Sequence, residues 1–192
     1  MATVRSENST NVRIESLLDG FLRPPVGERP HRERSLLAVA DAAAALPGGV
    51  RAWAWGQGPT TLVVHGWGGR GAQFAALVAA LVERGRRVVA FDAPAHGASP
   101  AARATLDDFA QTVAAAAAWA GPLEAIVAHS FGAAATTIAL GRGVDAARVA
   151  FVAPFFQLAA SLQRFAAHAR LDEPSRAAFL AALAAANRGH GV

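Results

Sequence analysis

The sequence predicts an α/β protein built on a mostly parallel sheet with helices on both faces. Three observations carry that prediction. From Thr60 onward, short apolar runs alternate with helix-like stretches. The runs are mostly apolar without strict alternation, as strands covered on both faces are. The residues suited to chemistry sit just after the runs, where the carboxyl ends of parallel strands form sites.

Residues 1–11 read as a polar tail. Val12–Leu22 places Val12, Leu17, Leu18, Phe21 and Leu22 at helical spacing, and Pro24-Pro25 ends that helix. Residues 26–35 read as a charged connector. Leu36–Ala45 supports two readings: its alanines favour helix, whereas a hairpin partner for Val50–Trp55 would be a strand. Pro47-Gly48-Gly49 is a turn. Val50–Trp55 alternates as a strand, with Trp53 and Trp55 on one face.

Four apolar runs follow, Thr60–His65, Val88–Asp92, Glu124–His129 and Val149–Ala153. Between them lie predicted helices near Gln73–Glu83, Leu106–Ala120 and Phe131–Leu140. Leu158–Ala167 and Ser175–Ala186 read as two further helices with no strand between them.

Composition excludes several classes. The 192 residues are 53% hydrophobic and 17% charged, unlike a disordered chain. The apolar excess is largely alanine, and no run of about 20 strongly apolar residues predicts a membrane span. The polar start Met1–Glu7 has no apolar signal region, so a cytoplasmic location is expected. No cysteine is present, which excludes disulfides and thiolate metal sites. The pI near 11.3 reflects the lack of Lys, Cys and Tyr rather than a large charge, since the net charge is only +4. Arginines sit beside acids, as in Glu28-Arg29 and Arg32-Glu33-Arg34, and no basic stripe with interleaved aromatics predicts nucleic-acid binding. No metal or other cofactor is expected.

The most informative stretch is Ile126–Ala134. It runs from strand through Ala128-His129-Ser130-Phe131-Gly132 into helix. A small residue on each side of a central serine lets strand and helix backbones nearly touch, and the turn lifts the hydroxyl above the sheet edge. Taken alone, Ser130 is equally readable as a helix N-cap. His65-Gly66-Trp67-Gly68-Gly69 follows the first run, where a Gly-rich loop permits close approach to a substrate oxygen. Phe91-Asp92-Ala93-Pro94-Ala95-His96-Gly97-Ala98-Ser99 follows the second.

These three motifs, in this order over residues 36–156, resemble the α/β-hydrolase fold superfamily, and its bacterial esterase- or aminopeptidase-like serine hydrolases in particular. Ala128 departs from the usual glycine, and Ala95 stands where the pattern often has glycine. The resemblance implies that Ser130 is the nucleophile. It implies oxyanion donors at the backbone N–H groups of Phe131 and Trp67, and structural roles for His65 and His96. His129 points away from Ser130 on the strand and is a poor base.

The resemblance also implies an acid and then a histidine after later strands. No strand-like run follows Val149–Ala153, so the chain is read as stopping short of both. Asp172 and His190 have the right order but lie in the helical stretch, and Asp145 precedes a strand. The expected organisation is an extension (1–35), an incomplete hydrolase core (36–154) and the start of a helical cap (155–192). The Val149–Ala153 strand would then be an open apolar edge, with poor solubility and no turnover expected of the 192 residues alone.

The implied reaction is cleavage of an ester-like small-molecule acyl bond through an acyl-enzyme on Ser130. Phe155, Phe156, Leu158, Leu162 and Phe165 would bring an apolar surface toward the pocket mouth or pack the cap on the core. A non-catalytic binding module on the same fold is the alternative. The fold also hosts C–C hydrolases, haloperoxidases and dehalogenases, and Ser130 argues against the last, which normally use an aspartate.

Overall fold

A computed structural model of the chain describes residues 13–25, 27–155 and 158–188. The tail at 1–11 lies outside them. Contacts group the chain into an α/β unit, Pro24–Phe156, and a helical unit made of Met1–Arg23 with Gln157–Val192.

The α/β unit opens with helix α2 (His31–Ala38), after α1 (residues 13–22) of the helical unit. The connector expected at 26–35 is therefore partly helix: Pro30 sets its start, and Pro cannot obstruct a helix at that end. Strands β1 (Ala42–Leu46) and β2 (Val50–Trp55) form a hairpin around Pro47–Gly49. Both readings of 36–45 thus apply in turn, helix to Ala38 and strand from Ala42. The remaining elements are β3 (Thr60–Val64), α3 (Ala75–Val82), β4 (Arg87–Asp92), α4 (Leu106–Ala120), β5 (Leu123–His129), α5 (Phe131–Gly141) and β6 (Arg148–Val152).

The strands lie in the order β1-β2-β4-β3-β5-β6. β4, β3, β5 and β6 are mutually parallel, and β2 pairs antiparallel with both its neighbours. Alternation along each strand builds two cores. Val50, Ala52, Ala54, Leu62, Val64, Val89 and Phe91 face one way, against Phe109, Val113 and Ala116 of α4 and Ala133 and Ala135 of α5. Trp53, Trp55, Val63, Val88 and Ala90 face the other, with Leu36, Leu37, Val78 and Leu81. The period of two makes this inevitable once the register is fixed. Trp53 and Trp55 share a face as predicted, and the Trp55 indole N–H ties α2 down by donating to Leu36 O at 2.9 Å.

A capping box starts α4: Thr105 Oγ1 accepts from Asp108 N, and Asp108 Oδ2 accepts from Thr105 N. At the other end of the sheet β6 is an edge. All five of its residues are exposed, with Val149 and Phe151 at 38% and Val152 at 48%.

In the helical unit, α1 packs with α6 (Leu158–His168) and α7 (Glu173–Arg188). Phe21 lies edge-on to Phe165 and Phe179, which stack on each other at 5.3 Å. Leu162 is buried in the same cluster. Leu162 and Phe165 therefore pack the helical unit itself, while Phe156 and the Leu158 side chain lie outside the described residues. No described helix is long and apolar enough to cross a membrane.

Candidate active site

The sheet order turns at β3, which lies between β4 and β5. Three loops meet at the carboxyl ends of these strands: 65–70 after β3, 93–99 after β4, and the β5–α5 junction at Ser130. This is the crevice that a change of winding direction opens in an open α/β sheet.

Ser130 carries φ 51° and ψ −120°. A residue with a Cβ in that region is strained by about 1–3 kcal/mol, so its surroundings must enforce it. Several contacts do. Ser130 N–H donates to Val152 O at 3.0 Å, which continues the β5–β6 pairing into the turn. Ser130 O accepts from Ala133 N and Phe155 N. A Cβ added to Gly132 would lie 2.3 Å from His65 O, and one added to Gly66 would lie 3.0 Å from Ser130 Cβ. The backbones at these glycines are thus in direct contact with the neighbouring loop or turn. Ala128 is fully buried, and its methyl is accommodated where the resemblance has glycine.

The hydroxyl of Ser130 does not cap α5, and it has no hydrogen-bond partner among the described residues. The capping reading left open by the sequence is therefore not what the side chain does. The N–H of Phe131, first in α5, has no protein acceptor among the described residues, and neither has that of Trp67. The rings of Trp67 and Phe131 meet edge-on at 5.2 Å, and Phe155 lies 6.4 Å from Phe131. All three side chains are half-buried.

His65 and His96 bind the first two loops together. His65 is fully buried; its Nδ1 meets Gly66 O at 2.7 Å and its Nε2 meets Ala93 N at 2.9 Å. A carbonyl on one side and an N–H on the other demand the neutral ring with its proton on Nδ1. His96 repeats the pattern, with Nδ1 on Pro94 O and Nε2 accepting from Gly68 N at 3.0 Å. Burial, and secondarily the nearby His96, push the His65 imidazolium down to about 4. Burial lowers His96 as well, against the opposing pull of the Pro94 carbonyl.

Asp92 is completely buried and ties three strands of chain together. Its carboxylate accepts from Gly71 N, Ala98 N and the Arg29 guanidinium. Ser99 Oγ donates to Asp92 O and accepts from Arg51 N at 2.8 Å. Ala95, in the same loop, has φ 63°, the left-handed conformation that glycine would hold more easily.

His129 turns toward Phe74, on the α3 side of the sheet, and its Nδ1 is buried without a partner. Asp145 precedes β6. Asp172 accepts from Ser175 N at 3.0 Å at the start of α7, and hydrogen bonding from the Ser175 side chain first, then from this N–H, holds its carboxyl below the ordinary range. His190 lies outside the described residues. Among the described residues no three His, Asp or Glu side chains converge as a metal site would require.

Sequence reasoning missed one group. Glu33, in the supposed connector, is 1% exposed and receives both Nε and Nη2 of Arg70, at 2.8 and 3.1 Å. Arg29 lies one helical turn before Glu33, and that spacing was the available signal.

A sequence model described as the alpha/beta hydrolase family matches residues 61–191. No curated protein matches the sequence. Among solved structures, an esterase of Pyrococcus furiosus superposes with TM-score 0.59 at 19% identity, covering 74% of this chain and 62% of its own. A second crystal form of it gives 0.60 at 19%, covering 89% and 70%. An epoxide hydrolase of Vigna radiata gives 0.52 at 23%, covering 60% and 40%. A monoacylglycerol lipase of Paleococcus ferrophilus gives 0.52 at 21%, covering 61% and 51%. The chain thus spans about two thirds or less of the length of each of the first two proteins and about half of the third.

Proposed function

The chain belongs to the alpha/beta hydrolase family, and from that premise we propose that it carries the nucleophile of a serine hydrolase that cleaves an ester-like acyl bond. The observation that carries this reading is the strained Ser130, whose hydroxyl caps nothing although it stands where a cap would. Strain maintained at a residue whose side chain has no local structural use points to chemistry.

In the proposed reaction Ser130 Oγ attacks the substrate carbonyl carbon and the carbonyl oxygen becomes an oxyanion. The N–H of Phe131 lies at the positive end of α5 and donates to that oxygen, and the N–H of Trp67 donates from the facing loop. Collapse expels the alcohol and leaves an acyl-serine, which water then hydrolyses. The serine proton requires a base oriented by an acid. No described histidine bonds to Ser130, and Asp172 is engaged as a cap, so that base is proposed from residues other than those described. Trp67, Phe131 and Phe155 present half-buried rings beside Ser130, which suits an apolar acyl or alcohol group.

A fluorophosphonate probe applied to the full-length protein tests this. The expected result is a covalent adduct on Ser130 that disappears in Ser130→Ala. No adduct, under conditions that label a control serine hydrolase, refutes the reading.

A further inference from the structure

We propose that the segment ahead of β1 is a positioning element for the loop 66–70, acting through Glu33 and Arg29 to set the direction of the Trp67 N–H. This rests on the oxyanion role proposed for Trp67.

The loop after β3 is short and glycine-rich, and glycines alone leave its path undetermined. Its C-terminal end is fixed by Arg70, whose guanidinium is held bidentately by the buried Glu33 carboxylate of α2. Paired, planar bonds of this kind constrain direction as well as distance. Arg70 Nη1 reaches further along the same segment, to Gly27 O at 3.3 Å. Arg70 N–H in turn donates to Gln73 Oε1 at 3.0 Å, starting the turn Gly71–Phe74. The middle of the loop meets the segment directly, since a Cβ on Gly68 would lie 2.9 Å from Pro25 Cγ. Arg29 links the segment to the second loop through Asp92 Oδ2 at 2.6 Å, and stands 3.7 Å from Glu33 Oε2.

The four charges balance, two guanidiniums against two carboxylates, and each of the four side chains is at most 16% exposed. Glu33 is the member shared by both arginines. Among the described residues Arg29 Nη1 has no hydrogen-bond partner, and it depends on Glu33 for compensation. Converting Glu33 to its amide removes that compensation while keeping the shape. One arginine is then left in excess in a water-poor site, and both must shift. α2 itself remains anchored by the Trp55 indole and by Leu36 and Leu37 in the core. The expected response is therefore local to the loop.

The test is Glu33→Gln in the full-length protein, read by hydrogen exchange and by ester hydrolysis. Amides of Gly68, Gly69, Arg70 and Gly71 are all bonded in the native loop. Their exchange is expected to quicken at least about tenfold in the variant while Ala135–Ala139 of α5 is unchanged. On an ester that the wild type turns over, kcat is expected to fall about tenfold with KM within about twofold, the mark of lost positioning rather than lost binding. Arg70→Lys keeps the charge but loses the paired geometry, and should move the same amides by a smaller factor. It serves as the deciding variant if Glu33→Gln does not fold. Unchanged loop exchange, or equal acceleration throughout the unit, overturns the proposal. Ser130→Ala separates the two ideas: if it hydrolyses the ester as well as wild type, the site reading has failed, and the exchange measurement still decides the positioning role.

Discussion

Lowering the pH from 7 toward 4 should destabilise the α/β unit through one buried side chain, His65. In the folded protein its ring takes no proton until about pH 4, because burial disfavours the charged form and Ala93 N–H already occupies Nε2. Once unfolded, the same ring titrates near 6.5. The unfolded state therefore binds the extra proton between these two values. Stability from His65 is fully present above pH 6.5 and is lost as the pH falls toward 4. The gap is worth about 3 kcal/mol in total, and its steepest slope is about 1.4 kcal/mol per pH unit. His96 acts in the same direction.

The assay is urea denaturation followed by tryptophan fluorescence at closely spaced pH values. All four tryptophans, Trp53, Trp55, Trp67 and Trp119, lie within 24–156, so the signal reports this unit alone. Carboxylates titrate in the lower part of the same window, and the comparison with His65→Gln removes their share. The variant should begin less stable, having lost well-placed bonds to Gly66 O and Ala93 N, but it should lose less as the pH drops. The difference between the two curves should narrow by about 3 kcal/mol between pH 6.5 and 4. A constant difference across that range would refute the assignment of a buried neutral His65.

Ala95→Gly should raise stability by up to about 1 kcal/mol, measured by the same denaturation, because φ 63° penalises the alanine Cβ. Gly132→Ala should cost more than about 2 kcal/mol, because the new methyl would stand 2.3 Å from His65 O and backbone cannot step aside cheaply; a variant melting within a degree or two of wild type would contradict the close packing of α5 on β3. Thr105→Ala should cost about 1 kcal/mol by removing the cap of α4. Val149→Lys should leave stability within about 0.5 kcal/mol and reduce light scattering on storage, since it charges the open sheet edge.

The sheet and its three loops were legible because their signals are local. An apolar run followed by glycines and a helix can be read within a dozen residues, as at Val63–Gly69 or Ile126–Gly132. Ala95 stands where the pattern often has glycine, and its φ of 63° is the conformation that glycine would hold more easily. The Glu33–Arg70 pair was not legible, since its members lie 37 residues apart and a charged stretch looks solvated until the fold covers it. The stretch 36–45 was undecidable for another reason: alanine tolerates both states, and only pairing with Val50–Trp55 tells where helix ends and strand begins. The fate of the Ser130 hydroxyl was also hidden. A capping serine and an elbow serine share the same sequence neighbourhood and differ in φ and ψ.

The strand order also governs how such a sheet can be assembled during synthesis. β2 and β3 are consecutive in the chain yet do not touch, and β4 fills the space between them. Until Arg87–Asp92 has left the ribosome, the β1–β2 hairpin and β3 share no partner. A hairpin alone is marginal in water. β4 is therefore a keystone: its arrival joins both pieces at once and delivers Asp92 to the loop it will hold. From then on the sheet extends in one direction only, β5 onto β3 and β6 onto β5, in the order in which translation supplies them.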